Sequence, residues 1–196
     1  VVSGKTKSCE KVIREVYKHI VHKVFVADSI KVAELSKLLE NTYRSVNIGF
    51  INEFKIISNK LKLNVWDVIR AAKTKNFGFR PFAPGPGVGG HCIPIDPFYL
   101  DWAAKKQNYH SRFISASKHI NRDVFVWSLN KIKFFLKNKK IANKQILYLG
   151  ITYKKNVDDT RESPSLALLE KLHDMNYNIK YHDPYIKNIQ IKIKNK

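Results

Sequence analysis

The chain has 196 residues, 44% of them hydrophobic and 12% aromatic, with a net charge of +20. That balance excludes a disordered chain, no run is long and apolar enough to span a bilayer and no signal-peptide core opens the chain, and two cysteines far apart, Cys9 and Cys92, imply no disulfide framework and fit a reducing, cytoplasmic setting. The charge alone points to an anionic partner, but only seven of the 36 basic residues are arginine and the lysines are scattered among Ile and Asn, which argues against a nucleic-acid footprint.

Residues 8–20 place Val12, Ile13, Val16 and Ile20 near helical spacing, and residues 24–26 read as a short strand ended by Ala27 and Asp28. From 32 to about 61 the helical period is strong: Leu35, Leu38, Leu39, Tyr43, Val46, Phe50, Phe54, Ile57 and Leu61 recur at steps of three or four with no proline between them. A helix this long suits a spine or a dimer contact. Lys37, Asn41, Arg44, Ile48 and Asn52 form another stripe, with Lys37 and Asn41 an i,i+4 pair on one face. Asn64 caps a short helix over 65–73. A Gly/Pro-rich loop follows, and Asp96-Pro97 reads as an N-cap and first helical proline opening a helix over 98–107. A further helix runs from 111 to about 139, with a basic end at Lys137, Lys139 and Lys140.

The pattern then changes. Residues 145–151 form an apolar run that suits a buried parallel strand, residues 162–176 are helical with Leu166, Leu169 and Leu172 on one face, and 178–182 form a second strand. This is a β-α-β unit, followed after Pro184 by a polar, lysine-rich tail. The fold class is α/β: a mainly helical central domain followed by a Rossmann-like β-α-β domain.

The loop APGPGVGGHCIPIDP (83–97) holds four glycines, four prolines and Cys92. GPGVGG satisfies G-x-G-x-x-G, but that fingerprint needs a strand before it and a helix after it. Here prolines precede it and Pro94 follows, so the match is accidental. Two readings of Cys92 stay open on spacing alone. The glycines could bring backbone close to a ligand that the thiol attacks, or Cys92 could be a small buried hydrophobe. His91 beside it has no further ligand cluster, so no metal is expected.

Residues 83–100, APGPGVGGHCIPIDPFYL, resemble the active-site loop of the UDP-glucose/GDP-mannose dehydrogenase family, the UDP-sugar 6-dehydrogenases. AELSKLLENTYRSVNIGFINEF (33–54) resembles that family's long central helix, and GITYKKNVDDTRESPSLALLEKL (150–172) the start of its UDP-binding domain. HCIPIDPFYL with NVDDTRESPS is similar to the branch acting on UDP-N-acetylhexosamines, particularly UDP-N-acetylglucosamine.

The resemblance implies NAD-dependent oxidation of a UDP-sugar C6 hydroxymethyl to a carboxylate, for surface polysaccharide biosynthesis. Cys92 matches the nucleophile that holds the half-oxidised carbon as thiohemiacetal and thioester. Lys37 and Asn41 match the helix lysine and its partner, and Asp96 the carboxylate acting in proton transfer, although Asp96 could equally be a plain N-cap. Gly85, Gly87, Gly89 and Gly90 match the loop around the sugar and diphosphate, with Phe82 beside the sugar. Tyr153 and Lys154 match substrate-side positions. Arg161 matches an arginine reaching the NAD cofactor, though it could instead pair with Asp158 or Glu162. The implied partners are a UDP-sugar and a second copy docked through helix 32–61. Residues 1–30 then match the closing part of the family's NAD-binding domain, 31–140 its central domain and 141–196 part of its UDP-binding domain. The alternative is a truncated, inactive remnant that only dimerises or weakly binds UDP-sugar, and negligible turnover is expected of the chain alone.

Overall fold

A computed structural model describes residues 1–138 and 145–190. The elements are α1 (Lys7–Lys18), α2 (Ile30–Lys60), α3 (Val65–Ala72), α4 (Asp96–Lys105), α5 (Arg112–Asn138), β1 (Gln145–Leu149), α6 (Pro164–Asp174) and β2 (Asn178–His182). The expected end of α5 at Lys139 and Lys140, the boundary near 140 and the last six residues of the tail lie outside the described residues. Among the described residues, no helix is long and apolar enough to cross a membrane.

The cap residues set where most helices start. Thr6, Ser29, Asn64 and Ser163 accept the amides of Cys9, Val32, Trp66 and Leu166, so each helix begins one residue later. The Ser163 cap is why α6 starts at Pro164 and not at residue 162 as the apolar pattern predicts. The expected strand over 24–26 reduces to one parallel bridge, Val2 to Val26, closed by the bonds Val2 N–H to Phe25 O (2.9 Å) and Ala27 N–H to Val2 O (2.8 Å).

The long helix α2 packs against α5, α4 and α3. Its close face is mostly small or polar: Asn41, Ser45, Gly49, Asn52 and Ser58 are buried, with Ile51 the one large apolar residue among them. A Cβ on Gly49 would lie 3.2 Å from Ser117 Oγ of α5, and Ser117 Oγ donates to Ser45 O at 3.0 Å, so the two helices approach closely where side chains are smallest. The apolar stripe that carries the helical period faces the other way, with Leu39 65% and Phe50 59% exposed. Ile51 joins Val65 and Ile69 in a core cluster, with Phe54 and Phe82 packed against it.

β1 and β2 pair in parallel, Gln145 with Asn178 through Leu149 with His182. α6 buries Leu168, Leu169 and Leu172. The strand predicted to reach residue 151 stops at Leu149 because both backbone groups of Ile151 are held by side chains. Asp183 Oδ2 accepts its N–H at 2.9 Å, and Ser163 Oγ donates to its carbonyl at 2.7 Å.

Candidate active site

The site is built on the glycine loop, which is clamped from two sides. On the α2 side, Asn52 Oδ1 accepts the Gly85 N–H at 2.8 Å while Asn52 Nδ2 donates to Asn121 Oδ1 of α5 at 2.9 Å. On the other side, Gly90 N–H donates to Arg161 O at 3.1 Å. At Gly89 and Gly90 nothing larger fits. A Cβ on Gly89 would sit 2.7 Å from both Glu162 O and Tyr153 Cβ, and one on Gly90, which has φ +89°, would sit 2.8 Å from the Tyr153 ring.

The loop ends in a tight turn. The Cys92 carbonyl accepts the N–H groups of Ile95 (3.0 Å) and Asp96 (2.8 Å), so Cys92 lies one turn before α4, and its residue is exposed. Asp96 is the first residue of α4, not its cap. Ile95 occupies the cap position and no side-chain cap bond forms. The expected capping role is therefore corrected, and the carboxylate is free for another partner. It accepts from Asn41 Nδ2 across the α2–α4 contact. Asn41 is 1% exposed. Its Oδ1 accepts from Arg44 Nη2, and Arg44 Nη1 donates to Glu40 Oε1.

The structure thus joins Asn41 to the Asp96 carboxylate, bonds the Asp96 N–H to the Cys92 carbonyl one turn earlier, and docks Gly89 and Gly90 on Tyr153. Lys37, one turn from Asn41, donates to Glu40 Oε2 at 3.3 Å and its side chain is 61% exposed. Phe82 packs edge-on to Tyr43, with ring centroids 6.1 Å apart, and against the core cluster of α2 and α3. Lys154 Nζ stands 5.7 Å from the Tyr153 ring centroid.

Arg161 pairs with neither Asp158 nor Glu162 but with Asp159. Its Nε donates to both Asp159 oxygens at 3.0 Å and its Nη2 to Oδ2 at 2.6 Å. The turn that brings the Arg161 N–H onto Asp159 Oδ1 at 2.9 Å makes this two-residue reach possible. The guanidinium holds the Asp159 carboxyl down at about 2.

A cleft of about 810 Å³ opens beside the loop, lined by Gly87 and His91, by Asn121 and Arg122 of α5, and by Arg161 and Ser163 at the start of α6. Arg122 and Arg161 share that lining with Glu162 and Glu170, and Arg161 is paired with Asp159, so the cleft is of mixed charge. Among the described residues, no group of three His, Cys, Asp or Glu side chains is placed to hold a metal ion.

Sequence reasoning placed Arg44 and Asn52 on the right stripe of α2 but gave them no role, and it missed Asn121 and Glu40. For Glu40 and Arg44 the i,i+3 and i,i+4 spacing to Asn41 was the available signal. Asn121 had none, because its partner is 69 residues away.

Comparison with known proteins bears on the same segments. Residues 31–123 match the central domain of the UDP-glucose/GDP-mannose dehydrogenase family, and residues 147–196 match its UDP binding domain. The chain is 37% identical to the UDP-N-acetyl-D-mannosamine dehydrogenase of Methanococcus vannielii, over 98% of this chain and 44% of that protein. It is 35% identical to the UDP-N-acetyl-D-glucosamine 6-dehydrogenase of Pseudomonas aeruginosa, over 95% of this chain and 44% of that one. The solved structure of a UDP-D-ManNAc dehydrogenase from Pyrococcus horikoshii superposes with a TM-score of 0.82 at 30% identity, over 94% of this chain and 44% of the other. The chain therefore spans less than half the length of these relatives.

Proposed function

Because the chain belongs to the UDP-glucose/GDP-mannose dehydrogenase family, we propose that it carries the thiol and proton-transfer half of a UDP-sugar 6-dehydrogenase site. The carrying observation is the Asn41–Asp96 bond, made one turn after Cys92 on a loop clamped by buried amides. In this reading the glycine loop and Tyr153 hold the sugar diphosphate. Asp96 takes the proton of the C6 hydroxyl directly or through water, and loss of the C6 hydride to an acceptor would leave the aldehyde. The Cys92 sulfur then adds to the C6 aldehyde to give a thiohemiacetal, whose oxidation leaves a thioester. Water hydrolyses that thioester to the carboxylate and returns the thiol. Lys37, released from Glu40, would stabilise the oxyanion.

Arg122 of the cleft, and Arg161 once freed from Asp159, would be the groups to meet a dinucleotide diphosphate, against Glu162 and Glu170 on the same lining. When bound, NAD supplies the acceptor for both hydrides. Both cysteines are free thiols, which this chemistry requires of Cys92 and which a cytoplasmic setting maintains.

The substrate class is a UDP-N-acetylhexosamine. The sequence resemblance favoured UDP-N-acetylglucosamine, whereas the names of most relatives favour UDP-N-acetylmannosamine. Titrating both sugars by calorimetry, with iodoacetamide protection of Cys92 as a second readout, tests the proposal. Binding of either with protection of Cys92 supports it, and the tighter ligand names the sugar. Absence of both binding and protection overturns it.

The exposed apolar stripe of α2 supports a homodimer through this helix, because Leu35, Leu39 and Phe50 would otherwise face water. Light scattering should find a dimer that Leu39→Glu converts to monomer. A monomeric wild-type chain at micromolar concentration would refute it.

A further inference from the structure

We propose that Glu40 and Arg44 are positioning residues that fix which end of the Asn41 carboxamide meets Asp96. The inference rests on reading the Asn41–Asp96 pair as part of the reaction centre. An asparagine amide has two nearly isosteric ends, one donating and one accepting. Nothing in the shape of a buried site distinguishes them, so a neighbour must.

Two neighbours do so: the ionised Asp96 carboxylate accepts only and calls for the nitrogen, and Arg44 holds the opposite end. A guanidinium carries donors only, so the end of Asn41 that it touches is the oxygen, and Nδ2 is turned onto Asp96 Oδ2. Arg44 is held in turn by Glu40, whose other oxygen accepts from Lys37. The Glu40 carboxyl is drawn below the usual carboxylate range, first by its bond from Arg44 and then by the one from Lys37. Residues 37, 40, 41 and 44 stand three or four apart on α2 and so share one face. The result is a directed chain, Lys37 to Glu40, Arg44 to Glu40 and Asn41, Asn41 to Asp96.

The chemical consequence falls on Asp96. With the amide nitrogen toward it, the carboxylate is engaged on one oxygen and presented as a base on its remaining lone pairs. With the amide reversed, oxygen would face oxygen, and the repulsion would drive the Asp96 side chain out of place.

The test uses the 196-residue chain with ¹⁵N-labelled asparagine side chains. The Asn41 carboxamide signals are identified by their loss in Asn41→Ser, and their exchange with solvent is measured. Exchange should be slow in the wild type, about tenfold faster in Arg44→Met, as expected for loss of one charge-assisted bond, and partly restored in Arg44→Lys. The Asn52 carboxamide, held independently by Gly85 and Asn121, should stay slow in all three. Unchanged Asn41 exchange in a folded Arg44→Met overturns the proposal, as does equal acceleration at Asn41 and Asn52, which would mean general loosening. If Arg44→Met fails to fold, Glu40→Gln is judged by the same two signals. No substrate is needed, so a failure of UDP-sugar binding would count against the proposed function and not against this inference.

Discussion

Asn52 and Asn121 hold each other and the glycine loop at once: one amide of α2 donates to α5 at 2.9 Å and accepts the backbone of Gly85 at 2.8 Å. Asn52 is 0% exposed, and its two partners are half-buried. Asn52→Leu would orphan the Gly85 N–H and the Asn121 oxygen, at about 1–3 kcal/mol for each group left unsatisfied. Asn52→Asp keeps the acceptor for Gly85 but loses the donor to Asn121 and buries a charge. Urea unfolding should show both variants less stable than wild type. On the proposed function, UDP-sugar affinity should fall in both, because the loop entry is no longer fixed. Stability equal to wild type in Asn52→Leu would show that the amide bridge does not clamp the loop.

The long helix, the β-α-β unit and the loop were legible because each has a local signature: an unbroken helical period, an apolar run, and glycine with proline. What was not legible depends on partners remote in sequence. The apolar period of α2 marks a helix, yet its buried face is the polar one, since Ser45 and Gly49 allow α5 close and Asn41 and Asn52 are spent on the site. Asp96-Pro97 has the composition of a cap, but Asp96 is drawn into the helix and its carboxylate to Asn41, 55 residues away. Arg161 had three acidic neighbours, and only the turn geometry selects Asp159.

Gly89 and Gly90 make the packing of the loop on the 153–164 segment sensitive to a single methyl. In Gly89→Ala the new Cβ meets the Glu162 carbonyl, which is backbone and cannot rotate away. In Gly90→Ala it meets the Tyr153 ring, which can be removed. Each should destabilise by about 1–3 kcal/mol. Adding Tyr153→Ala should recover part of the loss for Gly90→Ala, leaving the cost of the positive φ, about 1–2 kcal/mol, and should recover less for Gly89→Ala. A double-mutant cycle on thermal melts measures both, and equal recovery would contradict the assigned contacts.

Cys9 provides an internal reference for Cys92. It sits in the first turn of α1, where Thr6 Oγ1 donates to its sulfur at 3.2 Å, and that bond pulls the thiol below its ordinary range. Both thiols are exposed. Iodoacetamide at pH 7 should therefore label both, and Thr6→Val should slow Cys9 alone by removing the bond that favours its thiolate. UDP-sugar should slow Cys92 and leave Cys9 unchanged. Equal protection of the two thiols would indicate a general effect on the chain and not occupancy of the loop.

Asp183 ties the end of β2 to the start of the segment after β1. Its Oδ2 accepts from Ile151 N–H at 2.9 Å, and its Oδ1 from Tyr185 at 2.9 Å and Ile186 at 3.2 Å. Burial pushes this carboxyl up, but the backbone amides of Ile151, Tyr185, Ile186 and Thr152 outweigh it, and the net shift is downward. A carboxyl lowered on folding adds stability that is complete above its unfolded titration, near pH ~4, and is lost as pH falls through the folded value. Asp183→Asn keeps one acceptor where the carboxylate has two, so it should melt below wild type at pH 7. That gap should begin to narrow as the pH drops below about 4, where the unfolded carboxylate takes up its proton, and should close as the pH passes the lowered folded value. Thermal melts of the two chains between pH 7 and 3 measure it. A gap that stays constant across that range would mean the amides do not bind the ionised form in preference to the neutral one.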